Sequence, residues 1–350
     1  MKTALVTGAT GQDGSYMMEL LLEKGYKVYG AVRRSSSPNY WRIEHILNKI
    51  ELVHCDVTDS ININNLIRDL KPNECYNFAS MSQVGISFKE PIHAAESVGM
   101  NCLYFLEAIR HNSPKTRYLY AGSSEQFGSE VEKDGFQNIN TRMKVCSPYA
   151  ASKLFAFNMV DIYRKSYGLN VRSNICFNHE SPRRGEDFVT RKITRYLASL
   201  IKWLDDNTAR PFELGQLPFY PDWNESPKLS LGNINSYRDW THAKDCIEAF
   251  WLTMQADPKD YIISSMETHS VKEFLDLSFV EAQKYCNVNF LSQKDNLVSI
   301  DKNLYRPNEV DFLKGDSTPI RVELGWKPKY SFNELVSDMV KSDIDKCGSK

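Results

Sequence analysis

The chain lacks any paired-cysteine motif: its eight cysteines (55, 75, 102, 146, 176, 246, 286, 347) are scattered, with no CxxC spacing. In a chain this long that argues against a disulfide framework or a zinc site, and for reduced thiols in a cytoplasmic protein. A surplus of either charge is missing too. The 43 Lys and Arg face 44 Asp and Glu, for a formal net charge of −1. No basic field is present to attract nucleic acid or an anionic membrane, so an anionic ligand must be held by a local cluster. The opening residues, MKTALVTGATGQDG, contain no signal-peptide apolar run, and no stretch approaches the length of a membrane span. Internal repeats and low-complexity tracts are absent. What remains is an ordinary globular composition, 42% hydrophobic and 25% charged, in 350 residues. That length suits one large domain or two of usual size.

The first half alternates short apolar runs with amphipathic segments. TALVT (3–7), YKVYGAV (26–32), ELVHC (51–55), ECYNFA (74–79), RYLYAG (117–122) and VRSNICF (171–177) read as strands. Between them SYMMELLLEK (15–24), RIEHILNKI (42–50), INNLIRDL (63–70) and the segments 98–111 and 150–167 have helical spacing. This alternation predicts an α/β protein with a Rossmann-type, doubly wound parallel sheet. After Phe177 the texture shifts to loops rich in Pro, Gly, Arg and aromatics, with helical patterns at 244–256, 271–286 and 332–345. We expect residues 1–178 to form the nucleotide-binding domain. Residues 179–350 then form a smaller α/β substrate-binding region, some of whose elements return to the first domain.

Gly8, Gly11 and Gly14 make a G-x-x-G-x-x-G turn between the first strand and first helix, with Thr10, Gln12 and Asp13 among them. Glycines there allow a tight turn and let backbone approach a pyrophosphate at the helix N-terminus. At the end of the second strand an NAD site usually carries an acid for the ribose 2′-hydroxyl. Here stand Arg33, Arg34, Ser35 and Ser36. Guanidiniums and hydroxyls suit a 2′-phosphate, so NADP is the expected cofactor. Asp56 and Val57, after the third strand, are candidates for the adenine edge. Phe78, Ala79, Ser80 and Ser82, after the fourth, would lie along the cofactor, because ligands of open α/β sheets bind beyond the carboxyl ends of the strands.

Two further stretches carry chemistry. SPYAASK (147–153) places Tyr149 and Lys153 four residues apart on one helix face. A tyrosine with pKa near 10 becomes a usable base when an ammonium and an oxidised nicotinamide lie close. YLYAGSSEQFG (118–128) ends a strand with Ser123, Ser124 and Glu125; taken alone, it reads as a polar turn.

With these residues in hand the chain resembles the extended short-chain dehydrogenases/reductases, and within them the GDP-mannose 4,6-dehydratases. The stretches that carry the resemblance are TGATGQDGSY (7–16), VRRSSS (32–37), SSE (123–125), SPYAASK, FNHESPRRG (177–185), FVTRKI (188–193), RDW (238–240), HAKD (242–245) and YRPNEVDFLKGD (305–316). It implies a hydro-lyase with tightly held NADP. Tyr149 would take the proton from the sugar O4, Lys153 would lower the tyrosine pKa and hold the nicotinamide ribose, and Ser123 would bond the O4 region. Glu125 would remove the C5 proton and assist departure of O6 as water. The resemblance further implies that His179 and Arg184 touch NADP. Ser82, Ser123, Glu125, Asn178, Val189, Lys192, Arg238, Arg306 and Glu309 would meet a GDP-sugar. No metal is implied, and His179 has no ligand-type partner at suitable spacing along the chain. A homodimer or homotetramer is implied by the loop 33–37, with Arg183 and Arg184.

The chain departs from the family in places. Ser123 stands for a threonine, Gln83 for a histidine, and His93 for a tyrosine. The segment between Arg195 and Leu231 is longer than usual and includes LPFYPDWNESP (217–227), which suits either a surface loop or a reshaped substrate pocket. These changes keep the redox and elimination chemistry but leave the sugar open between GDP-mannose and GDP-manno-heptose. Other readings are an epimerase or dehydratase of another nucleotide sugar, against which Glu125 and FNHESPRRG speak, and a non-catalytic NADP-binding regulator. Such a regulator would not be expected to keep Ser123, Glu125, Tyr149 and Lys153 together.

Overall fold

The computed structural model describes residues 1–208 and 221–348. Each expected strand of the first half forms: β1 (Thr3–Thr7), β2 (Lys27–Val32), β3 (Glu51–His54), β4 (Glu74–Asn77), β5 (Arg117–Ser123) and β6 (Val171–Cys176). They run parallel in the order β3-β2-β1-β4-β5-β6, the doubly wound arrangement, and a seventh short strand, Ile262–Ile263, extends the sheet beside β6. Ala4, Leu5 and Val6 are all fully buried because helices cover both faces of the sheet.

The helices of the first half are α1 (Gln12–Glu23), α2 (Ser60–Leu70), the single turns α3 (Val84–Ser87) and α4 (Pro91–Ala94), α5 (Asn101–Asn112) and α6 (Pro148–Tyr167). Helices α2, α5 and α6 pack on one face through Ile63, Ile67, Phe105, Leu106 and Val160. On the other face α1 meets α8 (Ala243–Gln255) through Met17, Leu21, Ile247 and Phe250. Residues beyond 178 therefore complete the core of the first half. Between them lies α7 (Val189–Thr208), which joins a separate apolar cluster with α9 (Val271–Gln283) and the C-terminal helix Phe332–Gly348.

Two helical expectations are modified. Residues 42–50 give only a 3₁₀ turn, Glu44–Lys49. Its buried side chain is Ile46, joined by the buried N-cap residue Ile43 three positions earlier, and an i, i+3 pair eclipses in 3₁₀ geometry. In 98–111, the stretch Ala95–Met100 is wound as a π-turn before α5 begins. Of the segment 217–227, residues 217–220 lie outside the described residues. The remainder is a turn in which Trp223 packs on Trp203 of α7. None of residues 221–227 lines the large cleft described next.

Candidate active site

One cleft of about 980 Å³ lies beyond the carboxyl ends of β1 to β6. Its floor is the glycine turn. Gly8 sits at φ +66°, and a Cβ there would meet the Ala79 amide nitrogen at 3.0 Å. A Cβ on Gly14 would be driven into the Gly8 carbonyl. Side chains larger than hydrogen would thus part β1, α1 and the end of β4. Thr7 ties the same elements: its hydroxyl donates to Asn77 Oδ1 (2.6 Å) and accepts from the Phe78 and Ala79 amides (3.1 and 3.0 Å). Helix α1 starts after Gly11 with no side-chain cap, so its first amides are free of a local acceptor. A close-packed glycine turn leading into an uncapped helix fits a dinucleotide pyrophosphate. Gly8, Thr10, Gly11, Gln12, Asp13 and Gly14 all line the cleft, as do Asp56, Val57, Phe78, Ala79, Ser80 and Ser82.

The loop after β2 is divided. Arg33 lines the cleft, whereas Arg34, Ser35 and Ser36 are exposed and form none of its wall. A cation not anticipated from sequence stands nearby. Arg42 donates from Nη1 to the Thr10 carbonyl (3.1 Å) and from Nε to the Arg183 carbonyl (2.8 Å). It lines the cleft, and burial with Arg191 and Arg183 close by lowers its pKa to about 10. The helical reading of 42–50 hid it, since a basic residue at a helix start looks like solvated charge. Asp56 is engaged by the Thr58 amide and hydroxyl (3.0 and 2.7 Å), which hold its carboxyl below the usual range.

The polar stretch after β5 is a short 3₁₀ helix, Ser124–Phe127, rather than an open turn. Ser123 caps it: its hydroxyl accepts from the Glu125 amide (3.3 Å), and its own amide donates to Gln126 Oε1 (3.1 Å). This cap fixes the direction in which Glu125 leaves the strand. Helix α6 begins with Ser147, whose hydroxyl accepts from the Ala150 amide (3.1 Å), followed by Pro148 at the first helical position. One turn inside lie Tyr149 and Lys153, both buried.

Burial pushes the Tyr149 phenol up to about 12, against a hydrogen bond with Ser123 that favours its ionised form. Lys153 is drawn down to about 8 by burial. Its ammonium donates to the Ala121 carbonyl (2.6 Å) and lies 5.6 Å from the centre of the Tyr149 ring. Ser123 therefore acts on the Tyr149 phenol more directly than Lys153 does. Lys153 contributes its charge from beside the ring and not through a bond to the phenol oxygen.

Four charged side chains form a chain across another wall. Arg306 Nη1 is 3.4 Å from Glu125 Oε1 and 3.5 Å from Glu309 Oε1, and Arg238 Nη2 is 3.2 Å from the same Glu309 oxygen. Arg238 is buried, which lowers its pKa, and it also donates to the Tyr237 carbonyl (2.8 Å). Its neighbour Asp239 accepts from the Ser265 amide (2.7 Å) and hydroxyl (2.6 Å), the Met266 amide (3.1 Å) and the Gly315 amide (3.2 Å). That carboxyl ties two segments, 265–266 and Gly315, to the strand end that carries Arg238. Asn178, Val189 and Lys192 complete this wall.

His179 and Arg184 also line the cleft. His179 is flanked by Asp13 Oδ2 at Nε2 (2.9 Å) and by the Phe177 carbonyl at Nδ1 (3.0 Å). Burial works against its charge, but the Asp13 carboxylate overrides that and raises its pKa to about 10. Neighbours absent along the chain are supplied by the fold, because the Cys176 and Cys246 thiols come within 4.8 Å of the imidazole. Both ring nitrogens are nonetheless engaged by Asp13 and Phe177.

A doubly wound sheet, a glycine turn at its first crossover and a Ser–Tyr–Lys set at its centre define an extended short-chain dehydrogenase/reductase. Solved structures agree on the fold. A dTDP-glucose 4,6-dehydratase from Streptomyces venezuelae with NAD bound superimposes with a TM-score of 0.78 at 19% identity, over 99% of this chain and 98% of that one. A protein of Pseudomonas aeruginosa described as RMD, complexed with NADPH, gives 0.74 at 17% identity, over 99% of this chain and 100% of that one. The family model described as GDP-mannose 4,6 dehydratase matches residues 5–225 and 222–339. GDP-mannose 4,6 dehydratase 1 of Arabidopsis thaliana is 44% identical, over 98% of this chain and 90% of that protein. The human GDP-mannose 4,6 dehydratase is 41% identical, over 98% and 91%. The chain belongs to the GDP-mannose 4,6-dehydratase family.

Proposed function

We propose that the protein is a hydro-lyase that converts a GDP-linked hexose of the mannose type to its 4-keto-6-deoxy form, with NADP retained through the cycle. The observation that carries this reading is the meeting of Glu125 with Ser123, Tyr149 and Lys153 in one cleft. An epimerase needs only the last three, whereas elimination across C5 and C6 needs an additional acid/base.

In this reading residues 1–178 hold the cofactor, on the glycine turn and between Arg33, Asp56 and the segment 78–82, with His179 and Arg184 closing over it. Arg33 in the cleft, with Arg34, Ser35 and Ser36 beside it and no acid at the end of β2, favours NADP over NAD. Held there, a nicotinamide would supply the acceptor for the C4 hydrogen and the donor that C6 later needs. Tyr149, oriented by Ser123, receives the O4 proton as the C4 ketone forms. The ketone acidifies C5. Glu125 takes the C5 proton, that electron pair forms the C5–C6 double bond, and the C6–O6 bond breaks as Glu125 hands the proton to O6, which leaves as water. When hydride reaches C6, a solvent-derived proton is restored to C5 through Glu125. Residues from 179 onward bind the sugar nucleotide, with Lys192, Arg238 and Arg306 facing its diphosphate. The exposed loop 33–37 suits contact with a second copy in a homodimer or homotetramer. Among the described residues no helix is long and apolar enough to cross a membrane, and a cytoplasmic site is consistent with the scattered thiols.

The test is incubation of the purified protein with GDP-mannose, GDP-manno-heptose, UDP-glucose and dTDP-glucose, following 4-ketone formation. Conversion of a GDP-sugar without added reductant is expected. Turnover of dTDP-glucose alone would overturn the assignment.

A further inference from the structure

Arg306 serves two carboxylates with one nitrogen. Its Nη1 reaches both Glu125 (3.4 Å) and Glu309 (3.5 Å), longer than the ~2.7–2.9 Å of strong charge-assisted bonds. Its Nε and Nη2 are given to no acceptor among the described residues. Of the four charged side chains in this wall, Arg306 is the most exposed, at 32% against 21% for Glu309, 12% for Glu125 and 7% for Arg238. It sits in the irregular stretch that follows the 3₁₀ turn Lys302–Leu304 and precedes Pro307, so no helix or strand ladder restrains it. The quartet is balanced, two cations against two anions.

A diphosphate entering the cleft upsets that balance with two added negative charges, and only one guanidinium here is both loosely held and able to present a free fork. If Arg306 turns to the diphosphate, Glu309 keeps Arg238 at 3.2 Å. Glu125 loses its one direct ion-pair partner among the described residues and keeps only the more distant charge of buried Arg238. A carboxylate that must accept a carbon-bound proton is hindered by a guanidinium on its lone pairs and helped by losing it.

We propose that Arg306 is shared between the catalytic carboxylate and the substrate's diphosphate, so that seating the diphosphate releases Glu125 for C5 proton removal. Arg306 is then a positioning residue for the base in the free enzyme and a ligand in the complex. Elimination is thereby tied to occupancy of the nucleotide end of the cleft. The inference rests on the reading of Glu125 as the base and of the substrate as a nucleoside diphosphate sugar.

The experiment uses the NADP-loaded enzyme with GDP-mannose, comparing the wild type with Arg306→Gln. Steady-state constants are measured together with deuterium uptake at C5 from heavy water, per C4 oxidation event, in a single turnover. The loss is expected in KM, which rises about 10- to 100-fold as charge-assisted bonds are removed. kcat at saturation and C5 uptake per oxidation should stay within about threefold, because Glu125 is free in either enzyme once substrate is seated. A fall of tenfold or more in kcat and C5 uptake at unchanged KM would mean that Arg306 stays on Glu125 throughout, and would overturn the proposal. Unchanged KM and kcat would overturn it equally. Should Arg306→Gln fail to fold, Arg306→Lys carries the same split, with a smaller rise in KM. Failure of the underlying reading looks different: Glu125→Gln would then keep normal C5 uptake, whatever Arg306 does.

Discussion

Glu125 and Tyr149 stand in the same cleft, yet their surroundings prepare them for different work. Tyr149, its phenol raised to about 12, holds its proton at neutral pH until positive charge is brought close. Glu125 emerges from a capped 3₁₀ turn, largely withdrawn from solvent and facing Arg306. The Glu125→Gln variant keeps that shape without a basic oxygen. Reduced nicotinamide absorbance should still appear on adding GDP-mannose, while release of dehydrated product falls at least about 100-fold. Normal dehydration by this variant would remove Glu125 from the mechanism.

His179 makes a second residue-scale case. Its pKa is raised from 6.5 to about 10, so its stabilising contribution is complete below about 6.5 and is lost as pH rises through 10. That of Asp13 is lowered from 3.8 to about 2 by His179 despite burial, so its contribution is complete above about 3.8 and is lost as pH falls through 2. The pair therefore contributes fully between about pH 4 and 6.5. Nitrogen NMR of labelled histidine should find His179 still protonated at about pH 8, and Asp13→Asn should bring it below its ordinary value. A neutral imidazole at that pH in the wild type would disprove the ion pair.

At the scale of elements, the ends of helices and strands decide where chemistry sits. The Ser147 cap starts α6 just before Tyr149, and Ser147→Ala should cost about 1 kcal/mol in denaturant unfolding. The glycine turn is less forgiving. Gly14→Ala forces a methyl into the Gly8 carbonyl, so the purified variant should carry little nucleotide and melt lower. Full cofactor occupancy in that variant would show that the turn can open at small cost. The π-turn before α5 also matters here. It delivers Asn101, whose amide donates to the Ala79 carbonyl (2.6 Å) and accepts from Asn77 (3.1 Å), bracing the strand end beside the cleft.

For the molecule as a whole, the cleft is walled by residues of both halves, so binding of a nicotinamide cofactor there would be linked to stability. A ligand at 100 times its Kd stabilises the folded state by about 2.7 kcal/mol. On nucleotide-stripped protein NADP should raise Tm more than NAD, and Arg33→Glu should reverse that order. A wild type that favoured NAD would place the 2′-phosphate reading in error.

Local pattern was sufficient for much of this. The period-2 and period-3.6 runs of the first half carry the parallel, doubly wound sheet because each βα unit is built from neighbours in sequence. Gly8, Gly14, Tyr149 and Lys153 could be singled out for a related reason: each lies within a few residues of a strand end or helix start that its own neighbours encode. Ser123 and Glu125, by contrast, alone read as a polar turn and took their roles from the family resemblance. Tertiary structure alone decided what comes from far away. Arg306 faces Glu125 across 181 residues of chain, and Asp13 meets His179 across 166. Arg42 turns inward from the turn before a short 3₁₀ segment, while Arg34 points to solvent next to Arg33. Charge and spacing are the same in sequence whether a guanidinium ends in water or on a carboxylate. The difference is set by which surfaces the fold brings together, and by the burial and pairing that follow.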